Sequence, residues 1–127
     1  YYKELFKEHF NKKMICTNPD LIVDRGNKRE LCAGSVALIF EKIGGKVVYF
    51  GKPFPEVYNQ SIDREGKKAL SIGDNLNTDI KGANLLNFDS LIISNGIHKD
   101  EIKKEGIDVI SKKYETIVNF IQTELKW

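Results

Sequence analysis

Cysteine, proline and tryptophan are scarce in this 127-residue chain, at two, three and one residue respectively. Cys16 and Cys32 stand apart, without Cys-x-x-Cys or Cys/His spacing, so the chain carries neither a disulfide framework nor a zinc motif. Both read as reduced core thiols. No apolar run approaches the roughly 18 residues of a membrane span, and no charged-then-apolar leader opens the chain. A basic stripe is missing too: 20 Lys and Arg are scattered among 18 Asp and Glu, for a net charge of +2, which argues against a nucleic-acid surface. No Gly-x-Gly-x-x-Gly occurs, so the dinucleotide fingerprint is excluded. What remains, 41% hydrophobic and 30% charged, is a globular composition of one-domain length, for which a cytoplasmic location is expected. The chain opens at Tyr1 without Met and enters an amphipathic pattern at once, as a fragment of a longer protein would.

The hydrophobic pattern is that of a mixed α/β chain. Tyr2, Leu5, Phe6 and Phe10 recur at helical spacing, and Met14 to Thr17 reads as a short strand ending in the turn Asn18-Pro19-Asp20. Ala33, Val36, Ala37, Phe40 and Ile43 trace one helix face, closed by Gly44-Gly45. Beyond this the alternation becomes regular: strand Val47 to Phe50, helix Pro55 to Ile62, strand Ala69 to Ile72, helix Asp79 to Leu86, strand Ser90 to Ser94. A further strand over Ile107 to Ile110 follows, and Tyr114, Ile117, Val118, Ile121 and Leu125 predict a closing helix. Apolar strands alternating with helices predict a Rossmann-like parallel sheet covered by helices on both faces.

Ligands of such sheets bind beyond the carboxyl ends of the strands. Three ends are informative here. After Val47-Phe50 comes Gly51-Lys52-Pro53-Phe54-Pro55, which holds a lysine at the rim on stiffened backbone, suited to an anionic phosphate and equally to a solvated loop. After Ala69-Ile72 comes Gly73-Asp74-Asn75-Leu76-Asn77-Thr78-Asp79. Gly73 permits a sharp turn, Thr78 or Asn77 can cap the next helix, and Asp74 is placed to bind Mg²⁺ or simply to cap. The third end, Ser94-Asn95-Gly96-Ile97-His98, bears a lone histidine that reads as a loop residue rather than a ligand.

Taken together, Gly51-Lys52-Pro-x-Pro, then Gly73-Asp74-x4-Asp79, then Gly82-Ala83 resemble motifs III and IV of the haloacid-dehalogenase (HAD) phosphatases. Thr17-Asn18-Pro19-Asp20, Cys32-Ala33-Gly34 and Tyr49-Phe50-Gly51-Lys52-Pro53 look like its class IIA branch of NagD-type phosphatases. The resemblance runs from about Met14 to Val118. It implies that residues 1–50 end an α/β cap, and that 51–127 form the second half of a HAD core. It further implies a phosphorylated small-molecule substrate and a Mg²⁺ cofactor, with Lys52 steadying nucleophile and phosphoryl group, Asp74 and Asp79 serving the metal, and Asn75 beside the site; the turn from Asn18 to Asp20 has residue types that suit a ligand contact and equally any tight turn. In that family an Asp-x-Asp segment near the N-terminus supplies the nucleophile and the acid/base.

No Asp-x-Asp occurs in this chain. Charge-stabilising groups cannot replace a carboxylate that forms a phosphoenzyme, so the chain alone is expected to lack phosphatase activity. It would be one piece of an aspartate-nucleophile phosphatase; the alternative is a catalytically inactive HAD-like fragment acting as a binding or structural domain. In the family the strand before motif IV lies beside the nucleophile strand. An exposed apolar edge at Ala69 to Ile72 is therefore expected, covered by the upstream segment or by a second copy of the chain. A phosphoacceptor receiver domain would put its lysine last, whereas Lys52 comes first.

Overall fold

The structure, a computed structural model, describes residues 1–62 and 68–126. The chain divides into two compact units, Tyr1–Val57 and Tyr58–Trp127.

The first unit is built around a pair of parallel strands. β1 (Lys13–Cys16) runs beside β4 (Lys46–Tyr49) with Met14 opposite Val47 and Cys16 opposite Tyr49. Between them lie a hairpin of β2 (Ile22–Arg25) and β3 (Lys28–Leu31) and the helix α2 (Ala33–Lys42). The hairpin escapes the sequence reading because its residues are nearly all exposed and carry no clean alternation. It turns at Gly26, where φ is +59°. α2 follows its apolar stripe: Ala37 and Phe40 are buried, and Phe40 meets Phe6 of α1 (Tyr2–Glu8) edge to face at 5.1 Å. It stops at Gly44, in the left-handed region at φ +90°, as the Gly44-Gly45 pair predicts. α3 (Pro55–Ser61) runs through the division between the units.

In the second unit three parallel strands stand in the order β5 (Leu70–Gly73), β6 (Asp89–Ile93), β7 (Phe120–Gln122). β5 leads into a π-helical turn, Leu76–Ile80, continued by α4 (Lys81–Leu85). β6 is followed by α5 (Lys99–Glu105) and α6 (Ile107–Lys113). Leu76, Ile80, Ile92 and Ile110 form a fully buried core, with Ile102, Ile107, Tyr114 and Val118 packed against it.

The α/β class with parallel strands therefore holds, but two elements near the C-terminal end do not. Ile107 to Ile110, expected as a strand, is the start of α6. Ile107, Ile110 and Tyr114 fall on one helical face toward the core while Val109 points outward, half exposed. The expected closing helix is a loop and then β7. α6 ends at Lys113 with Tyr114 as its C-cap, Glu115 takes φ +53° just beyond it, and the backbone that follows is claimed by side chains. Asn84 Nδ2 donates to the Ile117 carbonyl at 2.9 Å while its Oδ1 accepts the Ile117 N–H at 2.7 Å. Ser90 Oγ donates to that same carbonyl at 3.0 Å. Groups that a helix would need for its own ladder are thus already spent on α4 and β6. Phe120, Ile121 and Gln122 then extend the sheet beside Leu91, Ile92 and Ile93.

Candidate functional site

Each unit gathers its chemistry at the carboxyl ends of its parallel strands. In the first, Phe50 N–H donates to the Cys16 carbonyl at 2.8 Å, prolonging the β1–β4 pairing to the brink of the loop. Gly51 then takes φ +90° and lies so close to the Thr17 carbonyl and Pro19 that a side chain there would collide. Phe54 N–H closes the turn onto the Gly51 carbonyl at 2.8 Å, which leaves Lys52 at its exposed apex. Tyr49 and Phe54 stack on either side of this turn in sequence, with ring centroids 5.8 Å apart. The turn Thr17 to Pro19 and the Gly51–Lys52 turn are thus neighbours, one at the end of each strand.

Asn18 and Asp20 act locally. Asn18 Oδ1 accepts the Asp20 N–H at 3.1 Å, forming an Asx turn, and the Asp20 carbonyl accepts the Gly34 N–H at 3.1 Å. Gly34 lies against the backbone of Pro19 and Asp20 too closely for any Cβ. The Cys-Ala-Gly segment therefore seats the start of α2 on the Asn18–Asp20 turn, an adequate structural reason for these residue types. Cys16 is buried, Cys32 half-buried, and both are free.

In the second unit, Asp74, Asn75 and Asp79 come together at the end of β5. Asp79 is buried, and its Oδ2 accepts the Asn75 N–H at 3.1 Å. Asn75 in turn caps the π-helical turn: its Oδ1 accepts the Asn77 N–H at 2.9 Å, and its carbonyl accepts the N–H groups of Asp79 and Ile80. The sequence reading put Asn77 or Thr78 at the cap and the helix start near Asp79; the structure puts Asn75 there and the helical turn at Leu76. Gly73 is pressed against the Asp79 carboxylate, with no room for a Cβ. Tyr58 faces the same region. Burial first, and the Asp79 charge second, push its hydroxyl up to about 12, and no Cβ would fit between that hydroxyl and Gly82.

Asp74 differs from Asp79 in being only half-buried. One of its oxygens, Oδ2, accepts the Ile97 N–H at 3.1 Å, and Gly96 lies against the carboxylate too closely for a side chain. The loop Ser94 to His98, at the end of β6, is therefore the far wall of the Asp74 site. The sequence reading singled out this strand end as polar and glycine-bearing but did not connect Gly96 and Ile97 with Asp74; a glycine just after a strand end was the available signal.

No group of three or more His, Cys, Asp and Glu side chains able to hold a metal ion occurs among the described residues. The donor chemistry still fits Mg²⁺, a hard cation that takes one or two carboxylates and completes its shell with water and substrate oxygens. Asp74 offers a partly exposed carboxylate with one oxygen already oriented. No helix among the described residues is long and apolar enough to cross a membrane.

Residues 49–117 match the HAD-hydrolase-like family model. A dihydroxyacetone phosphatase of Corynebacterium glutamicum is 31% identical over 97 residues, covering 72% of this chain and 35% of that protein. A haloacid dehalogenase-like hydrolase structure from Brucella suis is 36% identical, with a TM-score of 0.68, over 76% of this chain and 40% of that one. The glycerol phosphate phosphatase of Mycobacterium tuberculosis, in complex with magnesium, shares the fold with a TM-score of 0.67 at 22% identity, over 97% of this chain and 36% of that one. This chain thus spans between a third and two fifths of the length of these proteins. Because the family match runs over more than half of its residues, from the strand before Lys52 past the Asp74 loop, the chain belongs to the HAD-hydrolase-like family.

Proposed function

We propose that this chain supplies the charge-stabilising part of a Mg²⁺-dependent phosphomonoesterase of the class IIA type, the reacting carboxylates coming from a segment with the Asp-x-Asp pattern. The observation that carries this reading is the Asp74 loop. A half-buried carboxylate at a strand end is held by the Ile97 N–H, and Gly96, which lies too close to it to bear a side chain, lets the neighbouring loop approach.

In this reading Asp74 holds the metal, and Asp79 shapes the loop by fixing the Asn75 N–H. By the family resemblance Lys52, at the apex of its turn, would supply positive charge to the phosphoryl group. Magnesium, when bound, neutralises charge developing on the transferring group. Asn75 is buried and committed to its cap, so its part is to set the loop's shape; Asn18 and Asp20 do the same for the turn beside Lys52. Residues 1–50 would end the cap and 51–127 the second half of the core. The Corynebacterium relative is by its name a dihydroxyacetone phosphatase, which supports a small phosphorylated triose as the substrate class.

The test is a pair of measurements on the 127-residue chain. Mg²⁺ titration followed by backbone amide shifts is expected to perturb residues 74–79, and Asp74→Asn is expected to abolish the response. p-Nitrophenyl phosphate turnover is expected to stay at background until an Asp-x-Asp segment is supplied. A Mg²⁺ response unchanged in Asp74→Asn, or robust turnover by the chain alone, would overturn the proposal.

A further inference from the structure

The loop between β6 and α5 is fastened at both ends. Its start prolongs the sheet: Ser94 N–H donates to the Gln122 carbonyl at 2.8 Å, and Asn95 N–H to the Thr123 carbonyl at 3.2 Å. Its end is His98, which is only 5% exposed. The His98 ring stands edge to face with Tyr114, centroids 4.7 Å apart, and its Nδ1 lies 2.8 Å from Glu101 Oε2. Glu101 also accepts from Lys113 Nζ at 2.7 Å and from the Tyr114 hydroxyl at 3.0 Å. The bonds from Lys113 and then His98 are the main reasons that its carboxyl is held down at about 2. Glu101 is therefore ionised and purely an acceptor, which puts the shared proton on His98 Nδ1. Between the two fastenings lie Gly96, against the Asp74 carboxylate, and Ile97, whose N–H is on Asp74 Oδ2.

We infer that His98 is a positioning residue for Asp74: its hydrogen bond to Glu101 fixes the Ser94 to His98 loop so that Gly96 and the Ile97 N–H hold the Asp74 carboxylate in one orientation. A carboxylate with one oxygen on a fixed N–H presents the other in a defined direction. If the loop is released, that direction blurs. The functional meaning rests on the metal reading of Asp74, whereas the chain of contacts from Glu101 to Asp74 does not. Outer partners of metal ligands are typically worth 10-fold or more in metal affinity.

The experiment compares amide spectra and Mg²⁺ titrations of the 127-residue chain with those of H98N, H98F, E101L and D74N. H98N can donate from the place of Nδ1 but loses the ring, and H98F keeps a ring against Tyr114 but loses the donor. A role in packing alone would spare H98F and harm H98N. The expected result is the reverse: in H98F and E101L the Ile97 amide moves toward its position in D74N and Mg²⁺ affinity falls by roughly tenfold, while H98N stays near the parent chain. An Ile97 amide unmoved in both H98F and E101L, or a loss in H98N equal to that in H98F, overturns the inference. Should H98F fail to fold, E101L, which leaves both rings in place, decides. If Mg²⁺ causes no shifts that D74N removes, the metal reading fails, and the Ile97 amide still decides whether His98 positions Asp74.

Discussion

Glu101 shows how a single residue couples three segments, since His98, Lys113 and Tyr114 all donate to its carboxylate. Its folded pKa, about 2, lies below the ordinary 4.5. A depressed carboxylate contributes stability that is present above the unfolded value and lost as the pH falls through the folded one. Acidification from pH 6 to pH 3 is therefore expected to lower the urea midpoint of the parent chain more than that of Glu101→Gln. Identical losses would show that the cluster adds no net stability. The two glycines beside the carboxylates lead to a second expectation at this scale. Gly73→Ala and Gly96→Ala put a methyl group where the carboxylates of Asp79 and Asp74 already are, so each is expected to cost about 1–3 kcal/mol in denaturant unfolding. Lys52 and Asp74 were legible as candidates because strand ends can be read from one apolar run and the residue after it. His98 read as an ordinary loop histidine, since the ring it stands against belongs to Tyr114, which no local spacing announces.

At the scale of elements, the segment from Ile107 to Gln122 is the instructive one. Short apolar runs fit helix and strand alike, and tertiary contact breaks the tie. Ile110 is fully buried at the centre of the core, so Ile110→Ala is expected to cost about 2–5 kcal/mol, measured by chemical denaturation. A small effect would mean that α6 does not pack as described. β7 depends on polar anchoring. Ser90 is completely buried, donates to the Ile117 carbonyl and accepts the Asn119 N–H at 3.3 Å. Ser90→Ala leaves those backbone groups without that partner and is expected to cost about 1–3 kcal/mol. It should also speed amide exchange across Phe120–Gln122, whereas unchanged exchange there would argue against the anchoring role.

For the whole molecule, the open question is what completes the three-stranded sheet. Among the described residues β5 is its terminal strand, pairing with β6 on one side, and Leu70 and Ile72 are 49% and 37% exposed. A terminal strand with apolar residues facing solvent invites pairing. The match to this chain covers only 35% and 40% of two of its relatives, and the family resemblance implies an Asp-x-Asp strand beside this one. Sedimentation at increasing concentration is therefore expected to show self-association of the chain alone, weakened by Ile72→Lys and relieved by an added Asp-x-Asp segment. A monomer at all concentrations would count against an edge that needs covering.

By itself the sequence determined the family, the α/β class and the places of Lys52 and Asp74. These depend on local order: an apolar run sets a strand, and the next few residues must lie at its end. Only the tertiary structure decided that Ile107–Lys113 is a helix and Phe120–Gln122 a strand, that Asn75 caps the turn after β5, that the Ile97 N–H holds Asp74, and that His98 is buried against Tyr114. Most of these are set by partners far away in the chain, such as Asn84 and Ser90 holding Ile117, Asp74 holding the Ile97 N–H or Tyr114 standing against His98; the Asn75 cap is local, but a short run of polar residues does not say which of them takes it. Periodicity reports which face of a segment is apolar, but not which distant group will claim its backbone.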